Sequence, residues 1–245
     1  VAAPSAARPG GAMVVYGRNA VREALRGPRT VARVWATSGA AREDWLAGAG
    51  VPVEAADAET VERHAGSPDH QGVAAEVAPF RYADADALLA APRPLIVALD
   101  EIQDPQNLGA IARTAECAGA TGLVLPERRS AEVTAAVCKA SAGAVEHLPI
   151  ARVRNLADFL RDARGAGAWV YGADGDARVS YADVDYRGSG VVLAMGSEGR
   201  GLRPRVASMC DELVALPLRG RIASLNVSAA ASALLYEIVR QRDSR

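Results

Sequence analysis

The sequence is short of lysine, cysteine and histidine, and each shortage removes a class of chemistry. Its only lysine, Lys139, stands between Cys138 and Ala140, so a phosphate-binding loop of the Gly-Lys-Ser/Thr type is absent. The three cysteines, Cys117, Cys138 and Cys210, are odd in number and far apart, which fits neither a disulfide framework nor a zinc ribbon and predicts reduced, buried thiols. His64, His70 and His147 have no partner one helical turn away and no neighbouring cysteine. A metal site is therefore not expected, and the histidines read as surface or hydrogen-bonded structural groups. No intact GxGxxG follows a strand-like run and no GxSxG occurs, which argues against a dinucleotide crevice and an α/β-hydrolase. No uncharged apolar run approaches the roughly 18 residues of a membrane span. Residues 1–13 lack an apolar stretch of signal-peptide length and read as a loose leader, and a cytoplasmic protein is expected.

What is present is a globular composition. With 50% hydrophobic and 23% charged residues, wholesale disorder is excluded, and 245 residues suffice for one large domain or two small ones with a sizeable core. The net charge of −1 conceals a split: residues 1–35 hold six arginines and one glutamate, net +5, leaving −6 for the remainder. Of the 28 basic residues 27 are arginine, the side chain best shaped for bidentate phosphate contact. A GC-rich genome would give the same bias, and composition does not separate the two explanations.

Two stretches of alternating strands and amphipathic helices follow one another. The first, residues 14–80, predicts helices at 19–25, through Trp45 and at 60–64, with strands at 31–36, 51–53 and 72–77. Residues 81–94, with Pro79, Pro92 and Pro94 at or near the ends, read as a linker with at most one helical turn. From 95 to 245 the pattern restarts with continuous apolar runs at 95–99, 122–125, 169–172, 191–195 and 213–216, the signature of parallel strands buried on both faces. A final helix, 227–240, carries Val227, Ala231, Leu234, Leu235 and Ile238 on one stripe. The fold class is α/β.

Three stretches stand at the carboxyl ends of buried strands, where α/β sheets bind ligands. In the first, residues 100–115, Asn107 is a candidate N-cap and Arg113 lies off the apolar stripe of Leu108, Ile111, Ala112 and Ala115. Alone, such an arginine is a solvated charge. In the second, MetGlySerGluGlyArgGlyLeu at 195–202, three glycines allow close backbone approach to a ligand around Glu198, although a tight turn would use them equally. In the third, residues 216–228, Ser224 is expected to cap the last helix, Leu225 can bury, and Asn226 has no evident structural duty.

Together and in this order, the three stretches resemble the SpoU (TrmH) family of SPOUT methyltransferases. TyrGlyArgAsnAlaValArgGluAlaLeu at 16–25, HisGlnGlyValAlaAla at 70–75 and LysAlaSerAlaGlyAlaValGluHisLeuPro at 139–149 look like the branch that modifies a guanosine of 23S ribosomal RNA. The resemblance implies transfer of a methyl group from S-adenosylmethionine to a ribose 2'-hydroxyl of RNA, without a metal. It implies a C-terminal parallel-sheet domain whose end is threaded into a trefoil knot, a small N-terminal α/β RNA-binding domain, and a homodimer. It further implies catalytic or substrate-orienting roles for Asn107, Arg113, Glu198, Ser224 and Asn226, and cofactor contacts from Met195, Gly196, Leu216, Ile222 and Leu225. The net charge of residues 1–35 agrees with an RNA-binding N-terminal domain, because phosphate neutralisation drives nonspecific RNA affinity. A resistance enzyme acting on ribosomal RNA, a transfer RNA enzyme, and an assembly factor without turnover are the other readings, the last opposed by the intact Asn107, Arg113, Glu198 and Asn226.

Overall fold

A computed structural model of the chain describes residues 11–222 and 224–244. Residues 1–10 of the expected leader lie outside the described residues. In chain order the elements are β1 (Met13–Tyr16), α1 (Arg18–Arg26), β2 (Val31–Ala36), α2 (Asp44–Ala47), β3 (Val53–Ala55), α3 (Ala58–Ala65), β4 (Val73–Val77), α4 (Ala85–Leu89), β5 (Leu95–Asp100) and α5 (Pro105–Cys117). They continue with β6 (Gly122–Pro126), α6 (Ala135–Ala140), β7 (Ile150–Val153), α7 (Leu156–Gly165), β8 (Trp169–Ala173), β9 (Val179–Ser180), β10 (Val191–Gly196), α8 (Pro204–Ala207), β11 (Glu212–Ala215) and α9 (Val227–Asp243). They form two compact units: residues up to Arg81 with Glu132–His147, and Tyr82–Ala131 with Leu148–Arg245.

The first unit is a four-stranded sheet in the order β1-β4-β2-β3, in which β4 runs antiparallel to both neighbours and β3 parallel to β2. Its helix α3 is closed at both ends: Asp57 accepts the Thr60 N–H at 2.8 Å, and Gly66 turns the chain out at φ 65°. The short edge strand β1 was not expected. Residues 132–147 were expected in the C-terminal domain, yet they belong to this unit, with α6 packed on β1 and Val137, Cys138, Ala144 and Val145 buried. Their anchor is an ion pair between Arg29 and Glu146, whose side chains are 6% and 1% exposed. It includes a 2.8 Å bond from Arg29 Nε to Glu146 Oε2.

The second unit is a seven-stranded, wholly parallel sheet in the order β7-β6-β5-β10-β8-β11-β9. Its central strands β5 and β10 are buried along their whole length, as two-sided cover by helices demands. Residues 82–94 of the segment read as a linker are part of this unit. Asp84 caps α4 through the Asp86 N–H at 3.0 Å, and Leu88 joins Ile96, Val124 and Leu160 in the core.

Of the cysteines, Cys138 is buried and Cys210 half-buried, and burial pushes each thiol up to about 12. Cys117 is exposed, contrary to the expectation of burial. The histidines hold structural posts: His64 stacks on Trp35, His70 Nδ1 accepts the Gly72 N–H, and His147 meets Glu23.

Candidate active site

The chain leaves β5 toward β6 on one side of the sheet and leaves β10 toward β11 on the other, so a crevice opens where the carboxyl ends of β5 and β10 lie side by side. Asp100 and Gly196, the last residues of the two strands, are register partners.

After β5 the helix α5 is capped by Asp104, which accepts the Gln106 N–H at 3.0 Å, with Pro105 as its first residue. Asn107 was the expected cap. Because Asp104 takes that role, the Asn107 side chain is released toward the crevice.

After β10 the chain doubles back in a loop closed by the Gly201 N–H to Ser197 carbonyl bond at 2.9 Å. A side chain on Gly196 would collide with the backbone of Gly201 and Leu202, so the turn admits only glycine there. The far end of the loop is clamped to β5. The Asp100 carboxylate, 0% exposed, accepts the Arg203 backbone N–H at 2.9 Å and the Arg203 Nε at 2.8 Å. The same carboxylate raises the pKa of the Arg203 guanidinium above its ordinary value. This clamp was not foreseen; its signal in the sequence is an aspartate closing a run of five apolar residues at 95–99.

The third loop enters α9 at Asn226, whose Oδ1 accepts the Ser228 N–H at 2.9 Å. Asn226 is thus the cap expected of Ser224, which is exposed two residues earlier.

The three loops converge on one carboxylate. Glu198 Oε1 accepts from Asn226 Nδ2 at 2.6 Å, from the Val227 backbone N–H at 3.3 Å and from Asn107 Nδ2 at 3.4 Å. Asn226 Nδ2 also donates to Asn107 Oδ1 at 2.9 Å. A cleft of about 300 Å³ lies beside the cluster, lined by Asn107, Ser197, Glu198, Arg200, Glu101 and Val227, among others.

Arg113 projects from the exposed face of α5, and among the described residues nothing hydrogen-bonds or pairs with it. The structure therefore joins Asn107, Glu198 and Asn226, and joins neither Arg113 nor Ser224 to them. Of the expected cofactor contacts, Met195 and Gly196 are buried at the strand end and Leu216 is half-buried, whereas Leu225 and Ile222 are 48% and 76% exposed. Among the described residues no group of three or more His, Cys, Asp or Glu side chains could hold a metal ion.

Comparison with known proteins gives two family matches. Residues 94–236 match the SpoU rRNA Methylase family, and residues 14–83 match the family described as RNA 2'-O ribose methyltransferase substrate binding. A Bacillus subtilis protein assigned to the TrmH family of tRNA/rRNA methyltransferases is 39% identical over 240 residues, covering 94% of this chain and 96% of that one. The SpoU methyltransferase AviRb of Streptomyces viridochromogenes, solved with the cofactor AdoMet, superposes with a TM-score of 0.80 at 27% identity over 96% of this chain and 91% of its own. An AdoMet-bound rRNA methyltransferase of Sinorhizobium meliloti gives 0.79 at 30% identity, over 94% and 87%.

Proposed function

The chain belongs to the SpoU rRNA methylase family, and on that premise we propose that it methylates a ribose 2'-hydroxyl of RNA with S-adenosylmethionine, at a guanosine of 23S ribosomal RNA. The observation that carries this reading is the meeting of Asn107, Glu198 and Asn226 at the carboxyl ends of β5 and β10. Residues 14–83 select the RNA. On the same reading the chain works as a homodimer in the cytoplasm, and its C-terminal end is knotted.

The strand ends suit the cofactor. The turn that only glycine at 196 permits brings bare backbone to the crevice, and the exposed apolar side chains of Ile222 and Leu225 offer a surface for an adenosyl group to cover. When bound, S-adenosylmethionine supplies an electrophilic methyl group on a sulfonium. The chain's own residues must hold the ribose oxygen in line and make it more nucleophilic.

Glu198 is suited to orienting the ribose. Its Oε1 is fixed by three donors, which leaves Oε2 to accept a hydrogen bond from a sugar hydroxyl. Arg113 is read as a clamp and not as the base, because a guanidinium presents a planar fork of donors shaped for a phosphate. It grips a neighbouring phosphate and stabilises the alkoxide as it develops.

The test is to map 2'-O-methyl groups in ribosomal and transfer RNA from a strain lacking the gene. Loss of one ribosomal guanosine mark, restored by the wild-type gene and not by Arg113→Ala, is the expected result. A lost mark in transfer RNA would move the substrate, and an unchanged map with no methyl transfer by the purified protein would remove the activity.

A further inference from the structure

Three stretches that look specific to one branch, at 16–25, 70–75 and 139–149, take no part in the site described above. All three meet in the first unit, the last of them through residues 139–147. Gly17, with φ 90°, is buried at the start of α1, and a Cβ built there would lie 2.5 Å from Lys139 Nζ and 2.8 Å from its Cδ. The lysine side chain thus runs across the bare face of Gly17. On the other side stands Gln71, held in the left-handed region at φ 54°, a conformation that costs a non-glycine residue free energy. Its Oε1 accepts the Arg18 backbone N–H at 3.0 Å and would lie 3.2 Å from the same Cβ.

Lys139 is an outlier in two ways. It is the chain's only lysine. Among the described residues its ammonium also makes no hydrogen bond or ion pair, whereas the arginines around it are matched: Arg18 with Glu43, Arg22 and Arg26 with Glu23, and Arg29 with Glu146. Burial lowers its pKa, and the nearby Asp69 opposes that only in part. A partly desolvated cation without a partner is unfavourable in the free protein. With the Gln71 oxygen already occupied, the free polar groups beside Gly17 are donors, the Nζ hydrogens and the Gln71 amide, while the Asp69 carboxylate acts on the lysine charge without forming an ion pair with it. Donors grouped around a positive charge call for an anion, and lysine binds phosphate as a point charge.

We propose that Gly17, Gln71 and Lys139 form a phosphate site that grips the RNA backbone, with the lysine supplied from the 132–147 segment. This rests on the reading of the protein as an RNA methyltransferase. Gly17 is part of the site because it leaves the lysine its lane.

The test measures binding of a 23S ribosomal RNA transcript to the full-length protein across salt concentrations. Lys139→Ala should weaken binding about tenfold, similarly for unrelated RNA sequences, and flatten the salt slope by about one. Its S-adenosylmethionine affinity and melting temperature should stay at wild-type values. Lys139→Arg should recover only part of the affinity, since the planar fork does not fit the lane over Gly17, and Gly17→Ala should reproduce the alanine defect. A Lys139→Ala protein with wild-type RNA affinity and salt slope overturns the site while leaving the enzymatic reading intact. A wild-type protein that binds no RNA overturns both.

Discussion

Glu198 and Asn226, 28 residues apart, are joined at 2.6 Å, and the same Asn226 nitrogen donates to Asn107 Oδ1 at 2.9 Å. With its oxygen taken by the Ser228 N–H, the Asn226 amide has one orientation only. Asn226→Asp keeps the cap but turns the donor into an acceptor facing a carboxylate, so both donated bonds are lost. Methyl transfer should fall about a hundredfold, as when an oriented polar group is removed from an active site. Asn226→Ala should be equally inactive and also lose about 1 kcal/mol of stability with the cap. Single-turnover assays beside chemical denaturation would show both, and a fully active aspartate variant would dissolve the proposed role of the cluster.

Gly196→Ala addresses the cofactor loop. Because the added methyl meets the backbone of Gly201 and Leu202 rather than a movable side chain, the loop must shift, at about 1–3 kcal/mol. Calorimetry should show S-adenosylmethionine affinity reduced at least tenfold, and wild-type affinity would mean that the loop does not shape the cofactor site.

Arg113 is exposed and unpaired among the described residues, so Arg113→Ala should change stability by less than about 0.5 kcal/mol. Methyl transfer should fall by about two to three orders of magnitude. As expected of a planar clamp, Arg113→Lys should stay nearly as poor at every pH. Rates measured across pH with saturating cofactor check this, and activity recovered toward a pH of about 10 would overturn the clamp in favour of a base.

Near the end of α9, the Glu237 carboxylate accepts from Arg240 and from Gln241, and these bonds hold its pKa at about 2, below the ordinary 4.5. Gln241 in turn ties the helix to Val184 and Tyr186. A carboxylate depressed by folding contributes its full stabilisation above pH 4.5 and loses it as pH falls toward 2. Urea midpoints measured from pH 5 to pH 2 should therefore fall less steeply for Glu237→Gln than for the wild type. Parallel curves would deny the linkage.

The strands that position the site were legible because burial on both faces writes itself as unbroken apolar runs, as in β5 and β10. Edge strands such as β1 and β7 were not, since four residues facing partly outward leave no such run. The caps were misplaced for a chemical reason. Asp, Asn and Ser are all good caps, and Asp104 and Asn226 prevailed over Asn107 and Ser224 through positions the tertiary fold decides. Asn107, Glu198 and Asn226 could be read as a set only through the family resemblance, because no local pattern announces that residues from three loops share one oxygen. Lys139 drew notice through the missing phosphate loop and as the first residue of the 139–149 stretch, and neither gave it a ligand.

The packing of residues 132–147 with the first unit bears on how far this protein can be treated as interchangeable parts. The boundary between its two family matches, at residues 83 and 94, is not the boundary along which it packs. A chimera that grafts a foreign RNA-reading part at that point would keep Glu146 and discard Arg29, stranding a carboxylate from its buried partner, a loss of about 3–5 kcal/mol. Exchange of specificity between relatives must therefore carry the two segments together, and a recombination event that moves only the first eighty or so residues yields a protein with a wound in its core rather than a new substrate.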